Sequence, residues 1–145
     1  MRRKIQVPIA LLALLLLIAC AAKQTPQYQA AVVSNDFAHA LGTFQTEEIS
    51  LYNSGVIPPT GHRQFETVVL KVAQQGKVAD IAIGSADWTS GVGVLSSMLT
   101  ELQGIGPVTL GIKDANSQAI YQASLNTVIA VLQLKLQSAQ AQVKP

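Results

Sequence analysis

Asp36 and His39 stand three residues apart, a spacing that on a helix projects a carboxylate and an imidazole from the same side. A metal site built in a helical bundle needs two Glu-x-x-His motifs and further carboxylates, so this single pair reads as a solvated face, and no metal is expected. Glu47 and Glu48 are adjacent, and neighbours on a helix point in different directions, so no acid/base pair of carboxylates is implied. His62 beside Arg63 either meets an anion at the start of a helix or is an ordinary surface residue. The serines lack a nucleophile-elbow context, and Gly91-Val92-Gly93 has Ser96 where a dinucleotide loop has its third glycine. These types and spacings predict no catalytic residue and no cofactor, and the chain reads as a non-enzyme.

Four amphipathic segments must position these residues. Tyr28 to Asn53 carries Val33, Phe37, Leu41, Phe44 and Leu51 at helical intervals, and Asn53-Ser54-Gly55 supplies a stop, with Gly55 left-handed, Val56 as its hydrophobic partner and Pro58-Pro59 beyond. Thr60 is the expected N-cap of a second helix with Phe65, Val68, Val69, Val72, Ala79 and Ile83 along its stripe, ended by Gly84-Ser85. Gly76 weakens that stripe, and the competing reading makes Val78–Ile83 a strand paired with Val108–Lys113; one long helix is favoured. Lys77 and Asp80 are placed on its outer side.

Trp88, Val92, Leu95, Leu99 and Leu102 follow in a 4-3-4-3 series, the spacing of bundle packing, with Gly91 and Gly93 allowing a bend or a close helix approach. Trp88 is expected to anchor the core, and Tyr28, Tyr52 and Tyr121 to bury their rings with the hydroxyls at the rim. After Gly104-Ile105-Gly106-Pro107, Val108–Lys113 reads as an extended connector. Asp114 or Asn116 then caps a fourth helix to about Gln140, with Ile120, Thr127, Val131 and Leu134 on one face. Leu125, Val128, Ile129 and Leu132 widen its apolar surface, as in a helix that is central in a bundle or packed on another copy. The fold class this predicts is all-α, an antiparallel four-helix bundle over residues 28–145.

The N-terminus has a different character. Arg2-Arg3-Lys4 precedes an unbroken apolar run from Ile9 to Ala22, which holds much of the 49% hydrophobic content. Three of the ten basic residues lie there, leaving seven against eight acidic ones, so the remainder is near neutral and has no electrostatic footprint for nucleic acid. The run closes with Leu17-Ile18-Ala19-Cys20, and here the chain resembles the bacterial prolipoproteins, whose lipobox has an aliphatic residue three before an obligatory cysteine and a small residue just before it.

That resemblance implies acylation of the Cys20 sulfur, removal of residues 1–19 as a signal peptide, and 20–27 as lipidated cysteine and tether. It also implies sorting to the outer membrane if the host has two membranes, because no Asp follows the cysteine. Two lesser alternatives compete: the eighteen uncharged residues between Lys4 and Lys23 are near the lower limit for an uncut signal anchor, and Ala19 and Ala21 fit an A-x-A cleavage that would release a free protein. Cys20 is the sole cysteine, so the domain has no internal disulfide. The function expected is that of a lipid-anchored envelope lipoprotein with a non-enzymatic structural or protein-interaction role, its partners being the membrane and an envelope protein or a second copy. The alternative is a module that holds a small apolar or lipid-like ligand between its helices.

Overall fold

A computed structural model describes residues 25–143, and the lipobox residues Leu17, Ile18, Ala19 and Cys20 lie outside them. The described residues form an all-α bundle of four helices, α1 (Pro26–Asn53), α2 (Pro59–Gly84), α3 (Trp88–Gln103) and α4 (Ala115–Gln140). The Thr25 hydroxyl accepts from Tyr28 N–H with Pro26 in the first turn, so α1 starts two residues before the expected Tyr28. Asp114 caps α4 through Ser117 N–H at 2.7 Å, and hydrogen bonding from the Ser117 side chain, then from that N–H, holds its carboxyl below the usual carboxylate range.

α1 packs on α2 and α4, and α3 on the same two neighbours, which makes an up-down-up-down ring. α3 has 16 residues against 26 in α2 and α4, about 24 Å against 39 Å, so it covers only part of the bundle's length. Residues 104–114 fill the remainder. They are not the extended connector the sequence suggested: Leu110 N–H donates to Gly106 and Ile112 N–H to Pro107, a coiled turn closed by left-handed Gly111. Ile105, Leu110 and Ile112 plug that end of the core. The plug sits close, because a Cβ on Gly61 would lie 2.1 Å from the Leu110 carbonyl oxygen.

The stripes of the first three helices are buried much as their spacing predicts. Phe37, Leu41, Phe44 and Leu51 face the core from α1, as do Phe65, Val69, Val72, Ala79 and Ile83 from α2. α2 is continuous through Gly76, which excludes the strand at Val78–Ile83. It begins at Pro59 after Pro58, so Thr60 lies inside the helix and caps nothing. In α3 the buried series is Gly91, Leu95, Met98 and Leu102, with Trp88, Val92 and Leu99 half-buried beside it. Gly91 is the close approach: a Cβ there would meet Ile83 Cγ1 at 2.8 Å, whereas Gly93 faces open space.

α4 is rotated from the face that was expected. It buries Ser117, Tyr121, Leu125, Val128, Leu132, Lys135 and Ala139, leaving Ile120, Thr127 and Leu134 exposed and Val131 half-buried. Apolar residues occur on every side of this helix, so periodicity alone left its phase open; the partners chose it. Tyr28 is likewise exposed rather than core.

Two turns show how the chain stops its helices. After α1, Val56 N–H bonds to Leu51 and Gly55 N–H to Tyr52, the paired bonds of a Schellman cap with Gly55 at φ 77°. After α2 the same pair runs from Asp87 to Ala82 and from Ala86 to Ile83, but the left-handed position is held by Ala86 at φ 61°. A left-handed Cβ costs about 1–2 kcal/mol, partly offset by the greater entropy of unfolded glycine, so Ala86→Gly is expected to stabilise the fold by up to about 1 kcal/mol. Its midpoint in urea against that of the parent checks this.

Candidate functional site: a groove with a buried glutamate–histidine pair

Position 48 falls in the phase of the α1 stripe, four residues after Phe44 and three before Leu51, and so carries a carboxylate into the interior. Glu48 is 0% exposed. Its partner is His62 in the second turn of α2, whose Nδ1 lies 3.0 Å from Oε1 and 3.1 Å from Oε2. The imidazole stacks flat on Tyr52, with centroids 3.9 Å apart and planes 8° from parallel. Its other nitrogen, Nε2, is 3.5 Å from Oε1 of Glu66, an exposed residue one turn along. Burial pushes the Glu48 carboxyl above its usual range, and the hydrogen bond and charge of His62 pull against that shift.

Below the pair lies an aromatic cluster. Phe44 packs edge-on against Phe65 at 5.0 Å and at the same distance against Tyr121. The Tyr121 hydroxyl is not at the rim; it donates to the Ile105 carbonyl at 2.8 Å inside the core. Burial first, and then the Glu48 charge, raise its pKa. A groove of about 830 Å³ opens above the cluster between α1 and α2. Leu41, Ile49, Val69, Leu70 and Ala73 give it an apolar lining that Gln45 and Thr67 interrupt, and Tyr52, Asn53, His62 and Arg63 line the part nearest the turn between α1 and α2. From the first residue of α1 to Glu48 the rise is about 33 Å, so the groove sits at the end of the bundle remote from residue 25.

Chemically, the Glu48 contact fixes Nδ1 and directs Nε2 outward, which is the orienting half of an acid/base arrangement. The Thr67 hydroxyl of the same groove donates to the Arg63 carbonyl. The two imidazole nitrogens face different carboxylates, and among the described residues no three of His, Cys, Asp and Glu converge as a metal set. What the arrangement does is tie α1 to α2 and give an apolar groove one hydrogen-bonding end.

The other sequence candidates are dispersed. Asp36 and His39 are exposed on α1, and Glu47 points away from Glu48. Lys77 is exposed, and Asp80, expected on the outer side, is engaged by a lysine that the sequence reading passed over. Lys135 of α4 is 2% exposed, and its Nζ donates to Ser34 Oγ of α1 at 2.6 Å and to Asp80 Oδ1 of α2 at 2.5 Å. Ser34 Oγ is itself 2.8 Å from Asp80 Oδ1, so one cluster joins three helices. The signal for both clusters was present: a charged residue in phase with an apolar stripe, as Glu48 is with Phe44 and Lys135 with Leu132.

Among the described residues no helix is long and apolar enough to cross a membrane. No protein-family model matches the chain, and neither a curated protein nor a solved structure shows significant similarity to it.

Proposed function

We propose that this chain is a lipid-anchored envelope lipoprotein, held through acyl chains on Cys20, whose bundle has a non-enzymatic interaction role. The observation that carries the reading is Leu17-Ile18-Ala19-Cys20 at the end of a short apolar run behind Arg2-Arg3-Lys4. Two acyl chains make a stable anchor where one holds only marginally. In a host with two membranes the place is the periplasmic face of the outer one. The domain is in keeping with this: α1 starts at Pro26, so the six residues from Cys20 allow a reach of about 20 Å, and the groove would face away from the lipid.

Intact mass of the protein extracted from host membranes, set beside a Cys20→Ala variant, tests the anchor. A chain that begins at Cys20 with acyl mass, absent from the variant, is the expected result. A mass that includes Met1, or a free protein starting after Ala21, would overturn it.

The groove favours a second reading, a module that binds a small ligand with an apolar body and a hydrogen-bonding head. The ligand would lie on the α1–α2 seam rather than between α3 and α4, because Ile83 packs against the backbone at Gly91, and Leu125 and Val128 are buried from α4. Lipid recovered from the purified, unacylated chain and lost in Leu41→Lys would support that reading; a lipid-free extract would remove it.

A further inference from the structure

α4 has one charged residue in 26, Lys135, and that one is buried. Its solvent face is therefore uncharged from end to end, whereas α2 exposes Arg63, Glu66, Lys71, Lys77 and Asp80. Along the α4 face Ile120, Ala123, Thr127, Ala130, Leu134 and Gln137 are exposed and recur at alternating steps of three and four, the a/d spacing of helix pairing. Ile120 is 41% and Leu134 60% exposed. The fold does not need this series, because Tyr121, Leu125, Val128, Leu132 and Ala139 already fasten the opposite side of α4 to the bundle. An amphipathic helix on a bundle's outside normally turns charges to water; this one turns uncharged side chains, with Ile120 and Leu134 the large apolar ones.

The geometry points to α4 pairing with α4 of a second copy of this chain, the two helices parallel about a two-fold axis along the membrane normal. A second copy is the occupant the strip fits. An uncharged face meets itself without like-charge repulsion, and a two-fold contact sets each residue of the strip against the same strip. The direction rests on the lipoprotein reading. Both copies hold the same end of α1 toward one membrane, and the contact of Lys135 with Ser34 fixes α4 to α1. Antiparallel pairing would lift one tether to the far end of a helix about 39 Å long, beyond the ~20 Å that six residues span.

Parallel layers then stack Ile120 on Ile120, Thr127 on Thr127 and Leu134 on Leu134, and Ala123 and Ala130 let the backbones approach. A strip about 39 Å long and 10–12 Å wide covers on the order of 400 Å² per copy, roughly half of what each partner in a standard interface buries. The pair is accordingly weak in free solution and forms where acyl chains confine both copies to one surface, which raises their effective concentration.

Single cysteines at 120, 127 and 134 test this in the full chain, produced in a bacterium that processes lipoproteins and oxidised in its membranes with copper phenanthroline. Ile120→Cys, Thr127→Cys and Leu134→Cys are each expected to give covalent dimers, and Thr43→Cys on the outer face of α1 is not. Adding Leu134→Lys to Thr127→Cys is expected to abolish the dimer. No cross-link at any of the three positions, in protein whose mass shows acylation, overturns the interface and leaves the anchor standing. A cross-link at 127 without 120 and 134 overturns the parallel arrangement. Cross-linking of the parent chain through a free Cys20 overturns the lipoprotein reading from which the direction follows.

Discussion

Replacement of Asp80 by alanine is expected to destabilise the bundle by about 3–5 kcal/mol, whereas Lys135→Met is expected to leave its stability unchanged or raise it. The asymmetry follows from where the two charges sit. The Lys135 side chain is 2% exposed and that of Asp80 49%, so the carboxylate can return to water when its partner goes, and the ammonium cannot. Without Asp80 the lysine keeps only the Ser34 hydroxyl at 2.6 Å, a dipole in place of a counter-charge. Methionine has similar length and needs no partner in a buried position. Urea midpoints of the two variants decide it. Equal losses in both would mean that the ion pair, and not the burial of an unmatched charge, sets the cost.

His62→Ala carries the second large effect, and it depends on pH. In the parent, burial holds the Glu48 carboxyl above its ordinary range, so between that range and the raised value the folded chain binds more protons than the unfolded one. Stability contributed by this group is therefore fully present at low pH and is lost as pH rises through the raised value. Removing His62 takes away the hydrogen bond and the charge that restrain the shift, which moves the loss to higher pH and deepens it. An uncompensated buried charge costs about 3–5 kcal/mol, so a loss of that order is expected at pH 7 and a clearly smaller one at pH 4. Adding Glu48→Gln should remove most of the difference. Thermal unfolding across this range is the measurement, and a pH-independent loss would assign the effect of His62 to its stacking on Tyr52 alone.

The all-α class and the three boundaries at Gly55, Gly84-Ser85 and Gly104 were legible because they rest on local chemistry, namely 3.6-residue periodicity and the residues that end it. The phase of α4 was not. With Ile120, Leu134 and Val131 as apolar as Leu125, Val128 and Leu132, the burial of one set depends on where α1 and α3 lie, which no single segment records. The connector at 108–113 misled for a related reason. Its alternation resembles a strand, but Pro107 and Gly111 close it into a turn whose apolar side chains cap the core.

Both charged clusters were half-visible. Glu48 and Lys135 interrupt stripes at positions where an apolar residue belongs, which marks them as buried, but their partners come from other helices at separations of 14 and 55 residues. Reading a charge in phase with an apolar stripe as a buried, paired group would have found one member of each cluster.

The ring order of the helices also bears on how the chain assembles. Every neighbouring pair is consecutive in sequence except α1 and α4, whose contact between Ser34 and Lys135 joins residues 101 positions apart. A chain made from its N-terminus can cover one flank of α1 with α2 early, but the flank that α4 covers stays exposed until the last helix has emerged. That late closure is also the step at which Lys135 leaves water. Interactions between α1 and α4 that form only at that step act on how fast the bundle opens rather than on how fast it forms.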